Sequence, residues 1–424
     1  MTPSVAIIGG GPAGLMAAEM LAQAGRAVTI YDRMPSLGRK FQLAGRGGLN
    51  LTHTEPLPRF LARYGPATLV QDAVADWPPD ALRAWCAGLD EAPFVGSSGR
   101  VFPLSFKATP LLRAWLRRLA AAGVQVRTNH RWTGWTDEGA LRFTTRTGDL
   151  EVQPSATILA LGGASWPRLG SDGSWVPLLE AAGIAVAPLR PANVGLLHPW
   201  SAHFADRFAG HPLKRIAATF EGTTIRGEAL ITKGGLEGGL IYALSAPIRD
   251  AVATHGTATL TLDLRPDLDP AALAARLGGH GQSLSNALRR AGLDPAAAAL
   301  VREIAAPGQL PDRVKALKLQ ITGTSPIDRA ISTAGGLTLS NLDSTFMLTG
   351  HPNLYAIGEM LDWEAPTGGY LLQAAFSTAV TAANAILSGV TEGGHRAPIV
   401  IAGPDPATQA VAAGIAPHDE TPAG

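Results

Sequence analysis

The sequence predicts an α/β fold in which a Rossmann-like nucleotide-binding domain is interrupted by an inserted β-barrel-like domain and a small helical module. Three observations carry this reading. An apolar segment, Val5-Ala6-Ile7-Ile8, runs into Gly9-Gly10-Gly11-Pro12-Ala13-Gly14 and then into the helix-forming Leu15-Met16-Ala17-Ala18. A further apolar strand, Ala27 to Tyr31, closes on Asp32 at roughly the 20-residue spacing at which dinucleotide folds place a ribose-binding acid. Near Pro188 the pattern changes to short alternating segments punctuated by Pro and Gly, and apolar patterning resumes at Ala330-Ile331-Ser332-Thr333-Ala334-Gly335-Gly336.

Each glycine of the first turn has its own physical task. Gly9 permits the tight turn, Gly11 lets the backbone approach a pyrophosphate, and Gly14 lets the helix pack close to the strand. Pro12 and Ala13 open a helix whose unpaired N–H groups and positive dipole end face the phosphates. A glycine-rich turn that binds nothing shares this motif, and the flanking strand, helix and Asp32 set the two readings apart.

Composition narrows the class. With 46% hydrophobic residues, 16% charged residues and a formal net charge of +1, the chain lacks the basic excess of a dedicated nucleic-acid binder. Cys86, the single cysteine, excludes an intrachain disulfide and paired-thiol redox chemistry, and reads as a small core residue. The apolar N-terminus has no basic leader and is broken by three glycines, which argues against a signal peptide. No uninterrupted apolar run of about 20 residues is present to span a membrane, so no membrane partner is expected and we read the chain as cytoplasmic.

Downstream of the first βαβ unit, the glycine-rich and basic stretch Leu37 to Thr52 contains Gly38-Arg39-Lys40, Gly45 and the polar Asn50 and Thr52, and can fold backbone donors around an anion. A plain surface loop has the same composition. Asp80 to Gly88 and Thr109 to Gly123 carry helical apolar spacing, with Pro110 suited to a first turn and Gly123 to a stop. Val124 to Arg127 reads as a strand, and Ala156 to Leu161 as a buried one ending in Gly162-Gly163. We place the first part of the nucleotide domain at 1–190, a β-rich barrel-like insertion at 191–265, a helical module at 266–325, the second part of the nucleotide domain at 326–390 and a mobile tail at 391–424. In the second part, Asn353 to Ile357 reads as a strand closed by Gly358-Glu359, and Thr367-Gly368-Gly369-Tyr370 leads into a helix from Leu371 to Leu387.

Taken in order, these segments resemble the BaiN/RdsA-like family of NAD(P)/FAD-dependent oxidoreductases over nearly the whole chain up to the tail. The resemblance is carried by Gly9 to Gly14, Gly38-Arg39-Lys40, Gly99 to Lys107, Ile331 to Gly336 and Gly358-Glu359 through Gln373. It implies FAD pyrophosphate near Gly9, Gly11, Pro12, Ala13 and Gly14, adenosine ribose near Asp32 and the adjoining Arg33, and adenine beside the Val126 backbone. Gly38, Arg39, Lys40, Gly45, Asn50, Thr52 and Gly162 are implied along the phosphate and flavin side. Gly358, Glu359 and Asp362, followed by Gly368, Gly369, Tyr370 and Leu371, are implied to flank the flavin and its ribityl chain. The chain departs from the family at Gly47-Gly48-Leu49-Asn50, which lacks the usual Arg-Cys pair, at Asp343 to Thr349, which lacks a Glu-Ser-Lys, and at Thr232-Lys233-Gly234 in the barrel turn.

The expected cofactor is non-covalent FAD, with NAD(P)H as a transient hydride donor, because no second complete strand–GxGxxG–helix unit is visible. The expected activity is that of an FAD-dependent oxidoreductase that reduces an unsaturated or carbonyl-activated small molecule. A monooxygenase and a flavin-bound RNA-modifying or regulatory protein are the alternatives. Glu359 and Asp362 suit ribityl hydroxyls better than proton transfer, and Trp363 is expected near the cofactor. Arg100 and Lys107 suit an anionic substrate or ordinary solvation. His198, His203, His211 and Asp206 match no closed metal signature, so no metal is expected. The residue that moves the catalytic proton has no signature in the sequence.

Overall fold

The computed structural model describes residues 4–45, 47–278, 283–304 and 309–389. The tail expected to be mobile, 391–424, lies outside the described residues. Strand β1 (Ser4–Ile8), helix α1 (Pro12–Gln23) and strand β2 (Ala27–Asp32) form the first βαβ unit, with the glycine run as its turn. The sheet they belong to has five parallel strands in the spatial order Leu354–Ala356, Ala156–Leu159, β1, β2, Gln125–Thr128. From β1 the chain first builds outward through β2, then returns to lay Ala156–Leu159 on the other side of β1. The crevice outside the strand ends at such a reversal is where open α/β sheets receive ligands. Both faces of the sheet are covered, which explains why residues 5–8 of β1 and Ala156–Leu159 are buried continuously rather than alternately.

The helix Tyr370–Ser388 packs against α1 in the centre of this domain. By length and composition it could cross a membrane, yet 61% of its apolar window is buried within the fold. Its polar groups have internal partners: the Gln373 amide and the Ser377 hydroxyl both donate to the Trp77 carbonyl, at 2.8 and 2.9 Å. A three-stranded antiparallel meander, Arg131–Trp135, Leu141–Thr145 and Gly148–Val152, lies between the third and fourth strands of the parallel sheet in chain order.

The chain leaves this domain along Val186–Ala192 and re-enters along Ser332–Leu337, two strands that pair antiparallel. Between them lies a seven-stranded sheet in the order Leu317–Ile321, Ala258–Asp263, Pro212–Phe220, Thr223–Thr232, Gly235–Glu237, Leu196–Leu197, Gly323–Thr324. Its two outer strands are separated in sequence by Thr322 alone, so the sheet must curl until its edges meet. The structure corrects two details of the sequence reading. The β-rich stretch 191–265 also holds the 17-residue helix Gly239–His255. The helical module expected to reach 325 ends at Lys315, and 317–324 returns to the barrel-like sheet. The module's first three helices carry capping side chains, Asp269, Ser283 and Asp294. One apolar core fills the nucleotide domain and a separate one fills the insertion with its helices.

Helix α1 touches the turn closely enough to make a quantitative expectation. A Cβ at position 14 would lie 2.0 Å from the Gly9 carbonyl oxygen. Gly14→Ala is expected to cost about 1–3 kcal/mol through overpacking, read as a lower urea midpoint at unchanged m value.

Candidate functional site

The crevice at the reversal is built from the C-terminal ends of four parallel strands. At the end of β1, Gly9 adopts a left-handed backbone (φ 111°) and lies so close to Ala160 that a Cβ would be 2.2 Å from its carbonyl oxygen. Gly11 differs: its φ of −80° suits any residue, and a Cβ there would meet nothing within 4 Å. The protein's own packing therefore does not demand a glycine at 11, whereas a bound group drawn close to the backbone would. Gly11 caps α1 without a side chain, and Pro12 carries no N–H, so the helix presents bare backbone donors beginning at Ala13.

Asp32, at the end of β2, accepts from the Gly10 N–H (2.7 Å) and the Met34 N–H (2.7 Å). Burial raises the pKa of its carboxyl, against the pull of those two amides. It thus braces the glycine turn, and each oxygen retains a lone pair for a further donor. A partly open cleft adjoins it, lined by Asp32, His130, Arg131, Trp132, Asp172 and Trp175 among others. Arg33 also lines the cleft, but its guanidinium is engaged by Asp172 at 2.6 Å. Burial opposes ionisation of Asp172, while Arg33 and Ser174 prevail and hold its carboxyl below the ordinary value. Val126 lies on the outer strand of the sheet beside β2, with its side chain 43% exposed, and does not line the cleft. His130, Arg131 and Trp132, a few residues further along the chain, do.

Gly38 donates its N–H to the Gly10 carbonyl (2.8 Å) and starts the short helix Arg39–Ala44, which Gly45 ends against Ala108. Arg39 reaches the Ser36 hydroxyl (3.3 Å), and its Nε is buried without a partner. Lys40 Nζ donates to both Glu359 oxygens (2.8 and 2.6 Å) and to Ser165 Oγ (2.7 Å), and Glu359 also accepts from the Thr333 N–H (3.1 Å). Gly162 sits beside this group, its carbonyl accepting from the Trp175 indole (2.9 Å). Gly358 ends the strand Leu354–Ala356 and approaches α1, since a Cβ there would lie 2.8 Å from the Ala13 Cβ. Lys40 and Glu359 thus meet across 319 residues of sequence.

On the far side, Asn50 has a buried Oδ1 with no partner. Thr52 is fully buried and donates to Gln373 Oε1 (2.8 Å). Gly369 (φ 100°) lies against the Thr52 backbone, 2.5 Å from Thr52 Cα to the position of a Cβ, so only glycine fits between Gly368 and the last helix. The Tyr370 side chain is not open to a ligand. It is 4% exposed, stacks on His53 and packs against Phe60, and its hydroxyl donates to Glu55, which also holds Arg63. Tyr370 and half-buried Leu371 also place their backbone N–H groups in the first turn of the helix. Burial raises the carboxyl pKa of Asp362, Arg190 opposes this, and Glu364 reinforces it. Trp363 is a core residue, 5% exposed, donating to the Gly358 carbonyl (2.9 Å).

Arg100 lies on a short strand paired with Thr52–His53 and Lys107 caps a helix with its ammonium over Phe106. Burial pushes the Cys86 thiol up to about 12, and it donates to the Glu91 carbonyl, as a core residue does. Among the described residues, no group of three or more His, Cys, Asp or Glu is arranged to hold a metal, and the His198 ring binds the Gln320 carbonyl (2.8 Å).

The family model described as the HI0933-like protein Rossmann domain matches residues 3–385. The chain belongs to the HI0933-like family. This is a family of FAD-dependent oxidoreductases, and the chain is an enzyme of that class. It is 25% identical over 401 residues to a ribosomal RNA dihydrouridine synthase of Haemophilus influenzae, covering 90% of this chain and 97% of the relative. To a 3-dehydro-bile acid delta(4,6)-reductase of Clostridium scindens it is 26% identical over 409 residues, covering 90% and 98%. Among solved structures, the open conformation of a flavocytochrome c3 fumarate reductase shares the fold with a TM-score of 0.52 at 14% identity, over 91% of this chain and 78% of that one.

The open cradle at Gly11, the bare start of α1, the cleft beside Asp32 and the orphaned Asn50 oxygen fit the polar groups of an FAD molecule. Gly11→Val is expected to empty the site while changing stability by no more than about 1 kcal/mol, measured as flavin absorbance per protein and as the urea midpoint. A pH test addresses the Tyr370 anchor. The Arg63 hydrogen bonds lower the carboxyl pKa of Glu55 against burial, with help from Tyr370. Its stabilisation is therefore fully present above the ordinary value of 4.5 and is lost as pH falls through the lowered folded value. The stability gap between wild type and Glu55→Gln should narrow as unfolding is followed from about pH 7 to about pH 3.

Proposed function

We propose that this protein is a reductase that binds FAD non-covalently, accepts hydride from a visiting NAD(P)H and delivers it to an unsaturated or carbonyl-activated small molecule. The observation that carries the reading is the space at Gly11 facing the uncapped N-terminus of α1, between two glycines whose own contacts are tight. Ala13 and Gly14 would offer N–H groups to the pyrophosphate, with the near-neutral Lys40–Glu359 pair alongside. Asp32 and the cleft at His130 to Trp132 would take the adenosine. When bound, FAD supplies the two-electron chemistry. The first-turn N–H groups of Tyr370 and Leu371 would stabilise negative charge at the ring's pyrimidine edge, and Asp362 and Glu359 would hold ribityl hydroxyls. The fold presents one dinucleotide crevice among the described residues, so the nicotinamide donor meets the flavin without a domain of its own.

Support for the direction of reaction comes from the two relatives, whose names both describe saturation of a carbon–carbon double bond, one in a bile acid and one in ribosomal RNA. The second name is the specific ground for an RNA substrate as the competing reading. Released flavin should be FAD, and anaerobic addition of NADH or NADPH should bleach it. Reoxidation by cyclic enones under anaerobic conditions supports the small-molecule reading. Dihydrouridine formed in ribosomal RNA, with enones inert, replaces it by the RNA reading, and bleaching reversed only by oxygen with hydroxylated product replaces it by a monooxygenase.

A further inference from the structure

We propose that Asn193 is a positioning residue that fixes the segment Glu364 to Gly369, and through it the donors at the start of the last helix, to the root of the inserted domain. This rests on the reading that this helix start faces the flavin. Asn193 follows the strand Val186–Ala192, is 4% exposed and adopts a left-handed backbone (φ 51°), a conformation that asparagine tolerates better than most residues. Its Nδ2 donates to the Ala365 carbonyl (2.8 Å) and to Ser332 Oγ (2.8 Å), and its Oδ1 accepts from the Thr367 N–H (3.0 Å). Its own carbonyl accepts from the Ile331 N–H (3.2 Å). One amide therefore joins the strand that leaves the nucleotide domain, the strand that returns to it and the segment leading to Gly368-Gly369.

A second tie reaches the same segment from the insertion itself. Arg249, on the helix Gly239–His255 and 6% exposed, binds both oxygens of Glu364 at 2.9 Å and the Pro191 carbonyl at 3.0 Å. At its other end the segment is confined by the Thr52 backbone against Gly369. The loop is thus held at Glu364, Ala365, Thr367 and Gly369, and three of those four anchors come from groups at or beyond the domain junction. An amide is the side chain the geometry requires, because Asp offers no donor and an apolar isostere offers neither donor nor acceptor.

The test compares Asn193→Gly, which accepts the left-handed backbone, with Asn193→Asp, which keeps the acceptor for Thr367 and loses both donors. In flavin-free Asn193→Gly, exchange protection of the Thr367 amide should fall about tenfold with the loss of its partner. FAD should still bind through the Gly9 to Gly14 end. The flavin midpoint potential should become more negative, and kcat should fall about fivefold to tenfold with KM for NAD(P)H little changed. Asn193→Asp should keep Thr367 protection and shift the potential by a smaller amount. A wild-type potential in Asn193→Gly beside a shifted one in Gly369→Ala overturns the role of Asn193. Wild-type potentials in both, or a wild-type protein that releases no FAD, overturn the flavin placement beneath it. Should Asn193→Gly fail to fold, a wild-type potential in Asn193→Asp overturns the proposal on its own.

Discussion

At the end of β1 three stretches of backbone share a volume that has no room for side chains. A Cβ at Gly9 would strike Ala160, one at Gly14 would strike Gly9, and one at Gly358 would press on Ala13. These approaches bring the ends of β1, Ala156–Leu159 and Leu354–Ala356 against the first turn of α1. The rest of the site depends on that convergence. Lys40 can bridge to Glu359 and Ser165 only because their strand ends meet there, and the last helix can lie along α1 only because its approach passes the same point. Gly11 stands among these crowded positions with space in front of it, and contrast with its neighbours is what marks it as a place for something other than protein.

The Lys40–Glu359 pair contributes more to arrangement than to stability. Both side chains are about a fifth exposed, and pairs so placed are worth about 1 kcal/mol or less in water. The pair's value lies in presenting a cation and an anion with little net charge beside the helix N-terminus, where an anionic group can bias it at small cost. Deeper polar groups behave differently. Gln373, Ser377 and Thr52 are fully buried, and each is matched to a partner on another element, so they fix how the last helix docks.

Local pattern revealed what local chemistry determines. The glycine turn, Asp32, the helix from position 370 and the interruption near Pro188 could be read directly, because turn sterics and apolar periodicity act over a few residues. The strand that carries Val126 is visible in sequence, while the turn that brings His130 to Trp132 to the cleft is not. The helix Gly239–His255 was hidden by Pro247 in its interior and by Gly238-Gly239 at its start, residues that ordinarily break helices. The strands 317–324 were hidden because their partners lie at 258–263 and 196–197, across the helical module. Spacing announces Tyr370 at the start of the last helix, but not the contacts by which Glu55, Arg63 and Phe60 hold its side chain. The ties made by Asn193 and Arg249 likewise join residues more than a hundred positions apart.

The insertion leaves and returns on paired strands, with Ala192 directly opposite Ser332. Its two ends therefore sit side by side, and everything between them hangs from one hairpin-like stem while keeping an apolar core of its own. A module attached in this way can be lengthened, reshaped or exchanged during descent without reopening the sheet beneath it. Any such change is limited chiefly by the few polar ties at the stem, which a replacement must re-form.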